Sequence, residues 1–368
     1  MIYADNAATT ELDMDAFEAM KPFLLQHYGN ASQPYSFGVE AKKALRQARK
    51  KIAECIGADQ GEIYFTSCGT ESDNWAIKMG AADGKRIITS VIEHHAVLNS
   101  CSAVEKRGLP VSYLQVNDRG EVLPEALEKT IGDDVGLVSV MMANNEIGTI
   151  QPIKMLTEIA HRHRALFHTD AVQAVGHIDI DVHDLGIDML SASAHKFNGP
   201  KGIGFLYIKR GTKISSFVDG GMQESGMRAG TENVASIIAM AVALENNCSN
   251  MIANKKHLEG LEASLLHRLD EASVVYLRNG GENHIPGNVS ISFKGKEGEM
   301  ILHRMDLKGI CISTGSACDS VNTEVSHVIK AIRVPDEFAV GTIRISLGKA
   351  NTDEEAVAIA DALISIMK

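Results

Sequence analysis

Seven short apolar runs, interleaved with segments of helical period, restrict what this chain can fold into. EIYFTS (62–67), RIITSVI (86–92), PVSYLQV (110–116), VGLVSVMM (135–142), ALFHTD (165–170), IDMLSAS (187–193) and GIGFLYIK (202–209) read as buried strands. Residues 38–57 place Val39, Ala41, Ala44, Leu45, Ala48, Ile52 and Ile56 near a helical period. Further helices are expected at 71–82, 94–107 and about 121–130, with another opened by Pro152. This recurrence predicts an α/β fold: a mostly parallel seven-stranded sheet covered by helices on both faces. After a Gly-rich patch at 219–230 and a helix over 233–247, the pattern changes. Helical segments near 251–269, 297–307 and 353–367 then bracket strand-like stretches at 273–278, 289–293 and 341–347. We read 15–250 as a large domain and 251–368 as a smaller α+β domain, joined by residues 1–14.

Composition narrows the class further. A chain of 368 residues buries a large core, and 36 basic against 47 acidic side chains leave a formal charge of −11. That balance argues against direct nucleic-acid binding and against an anionic membrane surface. The opening MIYADNAATT lacks the basic and apolar regions of a signal peptide, and no apolar run is long enough to span a bilayer. Six cysteines without a CxxC pair make neither a disulfide scaffold nor a dedicated metal site. A reducing, cytoplasmic location is expected.

SASAHKFNGPKG (191–202) ends a buried strand in turn formers, which sets Lys196 at the sheet edge where open α/β folds bind ligands. A solvated turn lysine is the competing reading. A lysine there is also what an aldehyde cofactor needs, since its amine condenses with pyridoxal phosphate. Asp170, at the end of another strand, suits a pyridine nitrogen, and Gln173 could reach the phenolic oxygen. SCGTES (67–72) offers the amides of Gly69 and Thr70 at a helix start, a site for phosphate or an ordinary N-cap by Thr70. IEHHAV (92–97) puts His94 at a strand end, where imidazole could stack on a flat ring or simply face solvent.

YADNAATT, YGNAS, GTESDNWAI, EHHAV, NNEIGTIQPI, HTDAVQAVG, SAHKFNGPKGIGFLYI, ESGMRAGTEN, GSACDS and IRISLG run nearly end to end. Together they resemble the fold-type I pyridoxal-phosphate enzymes, and more narrowly the class V aminotransferase-like cysteine desulfurases. The resemblance implies that Lys196 carries the cofactor, His94 stacks on its ring, Asp170 pairs with its pyridine nitrogen and Gln173 bonds its phenolic oxygen. It assigns the phosphate to Gly69, Thr70, Ser193 and His195, completed by Thr231 from a second subunit of a homodimer. Arg344 would clamp the substrate carboxylate with help from Asn145, a bidentate role suited to a guanidinium. The implied reaction converts L-cysteine to L-alanine and leaves the sulfur as a persulfide on an enzyme cysteine. The sulfur would pass to an acceptor protein, an iron–sulfur scaffold or a thiolation protein. A selenocysteine lyase or aminotransferase on the same scaffold is the nearest alternative, and a sulfur-assembly scaffold without catalysis the non-enzymatic one.

Such a reaction requires a thiol that reaches the cofactor and then carries sulfur away, and a flexible loop meets both needs. Cys55, Cys101 and Cys248 fall in predicted helices, Cys68 adjoins the phosphate turn, and Cys311 enters a loop at the end of a short strand. Cys318, after Gly315, Ser316 and Ala317, is the expected sulfur carrier. GSACDS departs from the more usual GSACTS or GSACSS, and Asp319 would disfavour a neighbouring thiolate. Ser225 and Met222 also stand where arginine and glycine are common in the family.

Overall fold

The computed structural model describes residues 1–80, 84–314 and 325–368. Its first half is β1 (Ile2–Tyr3), α1 (Met14–Leu25), α2 (Ser36–Cys55), β2 (Ile63–Thr66), α3 (Gly69–Gly80), β3 (Arg86–Ser90), α4 (His95–Glu105), β4 (Val111–Leu114), α5 (Pro124–Thr130), β5 (Val135–Ser139), α6 (Ile153–Arg162), β6 (Leu166–Asp170) and β7 (Met189–Ser193). Then come β8 (Gly204–Ile208), α7 (Val234–Ser249), α8 (Met251–Glu271), β9 (Tyr276–Arg278), β10 (Asn288–Phe293), α9 (Gly298–Asp306), β11 (Ile310–Cys311), α10 (His327–Ala331), α11 (Asp336–Ala339), β12 (Thr342–Ser346) and α12 (Asp353–Met367).

Seven strands form one sheet in the order β2-β8-β7-β6-β5-β3-β4. Every neighbouring pair is parallel except those made by β8, which runs against both β7 and β2. The reversal follows from chain length: residues 194–203 hold the Lys196 turn and cannot also supply the dozen or more residues of a crossover. β7 and β8 are buried at every position, as continuous apolar runs sandwiched between helices must be. On α2 the stripe Ala41, Leu45, Ala48 and Ile52 turns inward, while Lys42, Lys43, Arg46 and Lys50 face out.

A second sheet, β12-β10-β9, is antiparallel and pairs Ser290 with Arg344. Val289, Ile291, Ile343 and Ile345 of this sheet pack with Leu265 of α8 and with Ile359 and Leu363 of α12. α12 starts with a capping box in which the Thr352 hydroxyl accepts from Glu355 N–H and the Glu355 carboxylate accepts from Thr352 N–H. The N-terminal segment links the two sheets. β1 pairs with β11, Ala7 N–H donates to Ser346 Oγ at 2.9 Å, and Thr10 N–H donates to the His195 carbonyl at 2.9 Å. Residues 5–10 therefore pass directly beside the Lys196 turn.

Candidate active site

The C-terminal ends of the parallel strands open onto a cavity of about 310 Å³. Of the residues singled out in the sequence, Gly69, Thr70, His94, Asn145, Asp170, Gln173, Ser193, His195, Lys196 and Arg344 all line it. The topology explains the convergence, because strand ends on one sheet edge bring residues far apart in sequence together. β7 delivers Ser193, and the tight turn after it delivers His195 and Lys196. β6 delivers Asp170, the start of α3 delivers Gly69 and Thr70, and His94 is the residue that caps α4.

Lys196 Nζ donates to the carbonyls of Ala7 and Ala8 at 2.6 and 2.8 Å. Gln173 Nε2 also donates to the Ala7 carbonyl, at 3.0 Å. The N-terminal strand segment thus forms a wall of the site that positions both side chains. Asp170 is buried, and its Oδ1 accepts the Val172 N–H at 2.9 Å. Burial raises its carboxyl to about 6, against the opposing pull of that amide and of Lys196. Burial lowers His94 to about 4, helped by the positive charge of Lys196, and likewise lowers His195 to about 4. Both rings are therefore neutral at pH 7. His94 Nδ1 accepts the Ala96 N–H at 3.1 Å, which leaves the ring proton on Nε2.

Arg344 is 3% exposed. Its Nη2 donates to Asp5 Oδ1 at 2.7 Å and its Nη1 to the Asn145 carbonyl at 2.8 Å, while Nε has no partner among the described residues. A buried guanidinium with an open donor beside a cavity is arranged to receive an oxyanion. At Gly69 a Cβ would sit 2.6 Å from Val172 Cγ2 and 3.5 Å from Ser193 Cβ, so glycine keeps the backbone amides at the start of α3 open.

Thr231 is elsewhere. It is exposed and lines a separate hollow with Ser67, Arg228 and Glu224. Cys318 lies outside the described residues. Cys68 lines the cavity, Cys101 is buried in α4, and Cys55 and Cys248 sit at the ends of α2 and α7. Sequence reasoning missed Asp5, Ala7 and Ala8, which touch the cavity's key side chains, and it missed Asp73 and Met141 in its lining. A polar N-terminal stretch with no periodicity gives no sign that its carbonyls meet Lys196. Asp73 carried a weak signal, a carboxylate on the inward face of α3 next to Trp75 and Ala76.

Residues 2–359 match the model of the class-V aminotransferase family. The chain belongs to it. Within this family the chain is 49% identical to the cysteine desulfurase IscS of Dictyoglomus turgidum, over all of this chain and 94% of that protein. It is 46% identical to the IscS of Methanosarcina thermophila, over all of this chain and 92% of the relative. Among solved structures, a NifS-like protein superposes with a TM-score of 0.94 at 38% identity, covering 99% of this chain and 98% of its own. These are fold-type I pyridoxal-phosphate enzymes, and the cysteine desulfurase family is the one to which this chain belongs.

Proposed function

We propose that this protein is a cysteine desulfurase that works as a homodimer, takes sulfur from L-cysteine and releases L-alanine. The observation that carries the reading is the convergence of Lys196, Asp170, His94 and Arg344 on one cavity. The residues fit pyridoxal phosphate. The amides freed by Gly69 suit its phosphate, Asp170 suits its ring nitrogen, and the open Nε of Arg344 leaves a place for a substrate carboxylate beside it.

When bound, pyridoxal phosphate supplies an aldehyde for the substrate amine and a sink for electrons released at Cα. Gly69, Thr70, Ser193 and His195 would hold its phosphate, completed by Thr231 of the second subunit, and His94 would lie against its ring as a neutral imidazole. Asp170 would accept the pyridine N–H and Gln173 would bond the phenolic oxygen. Arg344 and Asn145 bind the substrate carboxylate and fix its orientation. The Lys196 amine, held by the Ala7 and Ala8 carbonyls, moves the proton at substrate Cα. The Cys318 thiolate attacks the substrate sulfur; the new S–S bond forms as the Cβ–S bond breaks. The balance is L-cysteine plus enzyme thiol giving L-alanine plus enzyme persulfide. A thiol acceptor, on an iron–sulfur scaffold or a thiolation protein in the cytoplasm, then removes the outer sulfur.

A structure of SspA in complex with cysteine, 34% identical over 96% of this chain with a TM-score of 0.85, supports cysteine as the substrate. The test is incubation with L-cysteine followed by alanine assay and mass spectrometry of every cysteine. Alanine should appear with a ~32 Da increment on Cys318. Absence of alanine overturns the reading. An increment on Cys68, the described cysteine that lines the cavity, would move the sulfur-carrying role to it.

A further inference from the structure

Two buried carboxylates line the cavity, and among the described residues the cation that acts on them, Lys196, faces only one. Asp170 closes β6 and Asp73 lies on the inner face of α3; they are 5% and 1% exposed, and both line the cavity. Asp170 accepts the Val172 N–H, but among the described residues Asp73 Oδ1 has no hydrogen-bond partner. His168 Nε2 stands 3.7 Å from that oxygen. The His168 ring is wholly buried between two hydroxyls, Ser139 Oγ at 2.8 Å from Nδ1 and Ser191 Oγ at 2.9 Å from Nε2. Those partners satisfy a neutral imidazole, one nitrogen donating and the other accepting, and burial lowers the ring to about 3. His168 therefore brings no positive charge.

The groups facing the pair are few. Asp170, Glu93 and Cys68 push the Asp73 carboxyl up, the Ser191 hydroxyl opposes them, and Lys196 acts on Asp170. Glu93 is itself fully buried; Ser90 Oγ and the Met141 N–H donate to its carboxyl and favour the ionised form, but burial outweighs them and raises it to about 8. Lys196 is the one cation in this set, and it faces Asp170. Two adjacent buried carboxylates in such surroundings do not both ionise.

We propose that Asp73 and Asp170 hold one proton between them, with Asp73 the neutral acid, and that Asp73 thereby acts as a positioning residue that fixes the charge Asp170 presents to a pyridine nitrogen. The cofactor half of this inference rests on the function proposed above; the shared proton rests on the chain's own geometry. Three carboxyls, Asp73, Glu93 and Asp170, then contribute a single negative charge beneath the cavity. A cationic ring N–H draws that charge onto Asp170, since pairing favours its ionised form, and Asp73 keeps the proton.

Carboxyl carbon NMR of the full-length protein, labelled at aspartate Cγ so that Glu93 is silent, tests the shared proton with and without pyridoxal phosphate. One aspartate should remain protonated at pH 7 and titrate in a separate alkaline step, and Asp73→Asn should abolish that step. Full ionisation of every aspartate at pH 7, or an alkaline step that survives in Asp73→Asn, overturns the proposal. The positioning role is read from cofactor affinity. Asp73→Ala should raise the Kd for pyridoxal phosphate about tenfold, and Asp73→Asn, neutral and of the same shape, should recover most of it. Equal losses in the two variants overturn the positioning role. The wild-type titration decides the shared proton even if Asp73→Ala does not fold. A wild-type chain that binds no pyridoxal phosphate, yet keeps its protonated aspartate, overturns the function reading and the positioning role while supporting the shared proton.

Discussion

Arg344 and Arg49 are both largely buried arginines set against carboxylates, and they do opposite things. Arg49 is closed. Its two terminal nitrogens meet the two Glu224 oxygens at 2.6 and 2.7 Å, one of them also bonds the Ile63 carbonyl, and the guanidinium lies 4.2 Å from the Phe65 ring centroid. Glu224 in turn accepts the Phe65 N–H at 2.9 Å. Arg344 is open. Asp5 and the Asn145 carbonyl occupy its terminal nitrogens, its Nε meets no acceptor among the described residues, and the side chain lines the cavity. A guanidinium whose two terminal nitrogens grip one carboxylate fastens a scaffold, while a buried one with an open donor beside a cavity is kept ready for a ligand. Arg49 fastens a strained segment: Glu224 and Ser225 both adopt left-handed backbone, with φ of 46° and 58°, a conformation that side chains other than glycine resist.

The contrast is sharpest when each arginine is removed. Arg344→Ala should lower kcat/KM for L-cysteine by on the order of 10³, about 4 kcal/mol of lost binding to the substrate carboxylate. Its melting temperature should change little, because Asp5 keeps access to water. A large fall in stability without loss of kcat/KM would make Arg344 a second scaffold residue and break the comparison. Arg49→Ala should do the reverse. It strands the Glu224 carboxylate, whose side chain is 4% exposed, and should cost about 3 kcal/mol in denaturant unfolding. Cofactor absorbance and kcat/KM of the folded fraction should survive.

Buried acids and buried histidines of the same site pull stability in opposite directions with pH. Burial raises Glu93 from 4.5 to about 8. The folded chain then binds more protons than the unfolded chain between those values, so stability falls as pH rises through that window. His94, His168 and His195 are lowered from 6.5 to about 4, 3 and 4. For them the unfolded chain binds more protons, and stability is lost as pH falls from about 6.5 towards 3. Glu93→Gln should therefore remove at least about 1.4 kcal/mol, the worth of one pKa unit, from the decline between about pH 4.5 and 8, and leave the slope below pH 4.5 unchanged. Unfolding free energies measured from pH 4 to 9 check this, and an unaltered alkaline slope would mean that Glu93 is ionised in the folded protein.

The open and the closed regions differed in how far they could be read from residues alone. Strand ends were legible because apolar runs of a few residues stop at polar ones, and Lys196, Asp170 and His94 each stand where a run stops. The antiparallel course of β8 was not legible, since its composition matches that of its parallel neighbours and only the short 194–203 connection dictates its direction. The Asp5–Arg344 pair spans nearly the whole chain, and no local pattern links its ends. Likewise, nothing in DGGMQESG announces that Glu224 is buried under Arg49, because glycine-rich segments read as solvated turns whatever their side chains reach.

Thr231 gives the smallest effect and the most specific one. In a single chain it is exposed, in a hollow with Ser67 and Arg228 rather than in the cavity. If it completes the phosphate cradle of the neighbouring subunit, Thr231→Ala removes one hydroxyl donor, about 1 kcal/mol, and weakens pyridoxal phosphate binding about fivefold. A hybrid dimer distinguishes this from an action within the chain. Pairing a Lys196→Ala protomer with a Thr231→Ala protomer leaves one site that has its own Lys196 and receives Thr231 from across the interface. That site should hold pyridoxal phosphate with wild-type affinity and turn over cysteine at about half the wild-type rate per dimer. If Thr231 acts within its own chain, the same hybrid has Lys196 and Thr231 in different sites, and its affinity stays at the weakened level.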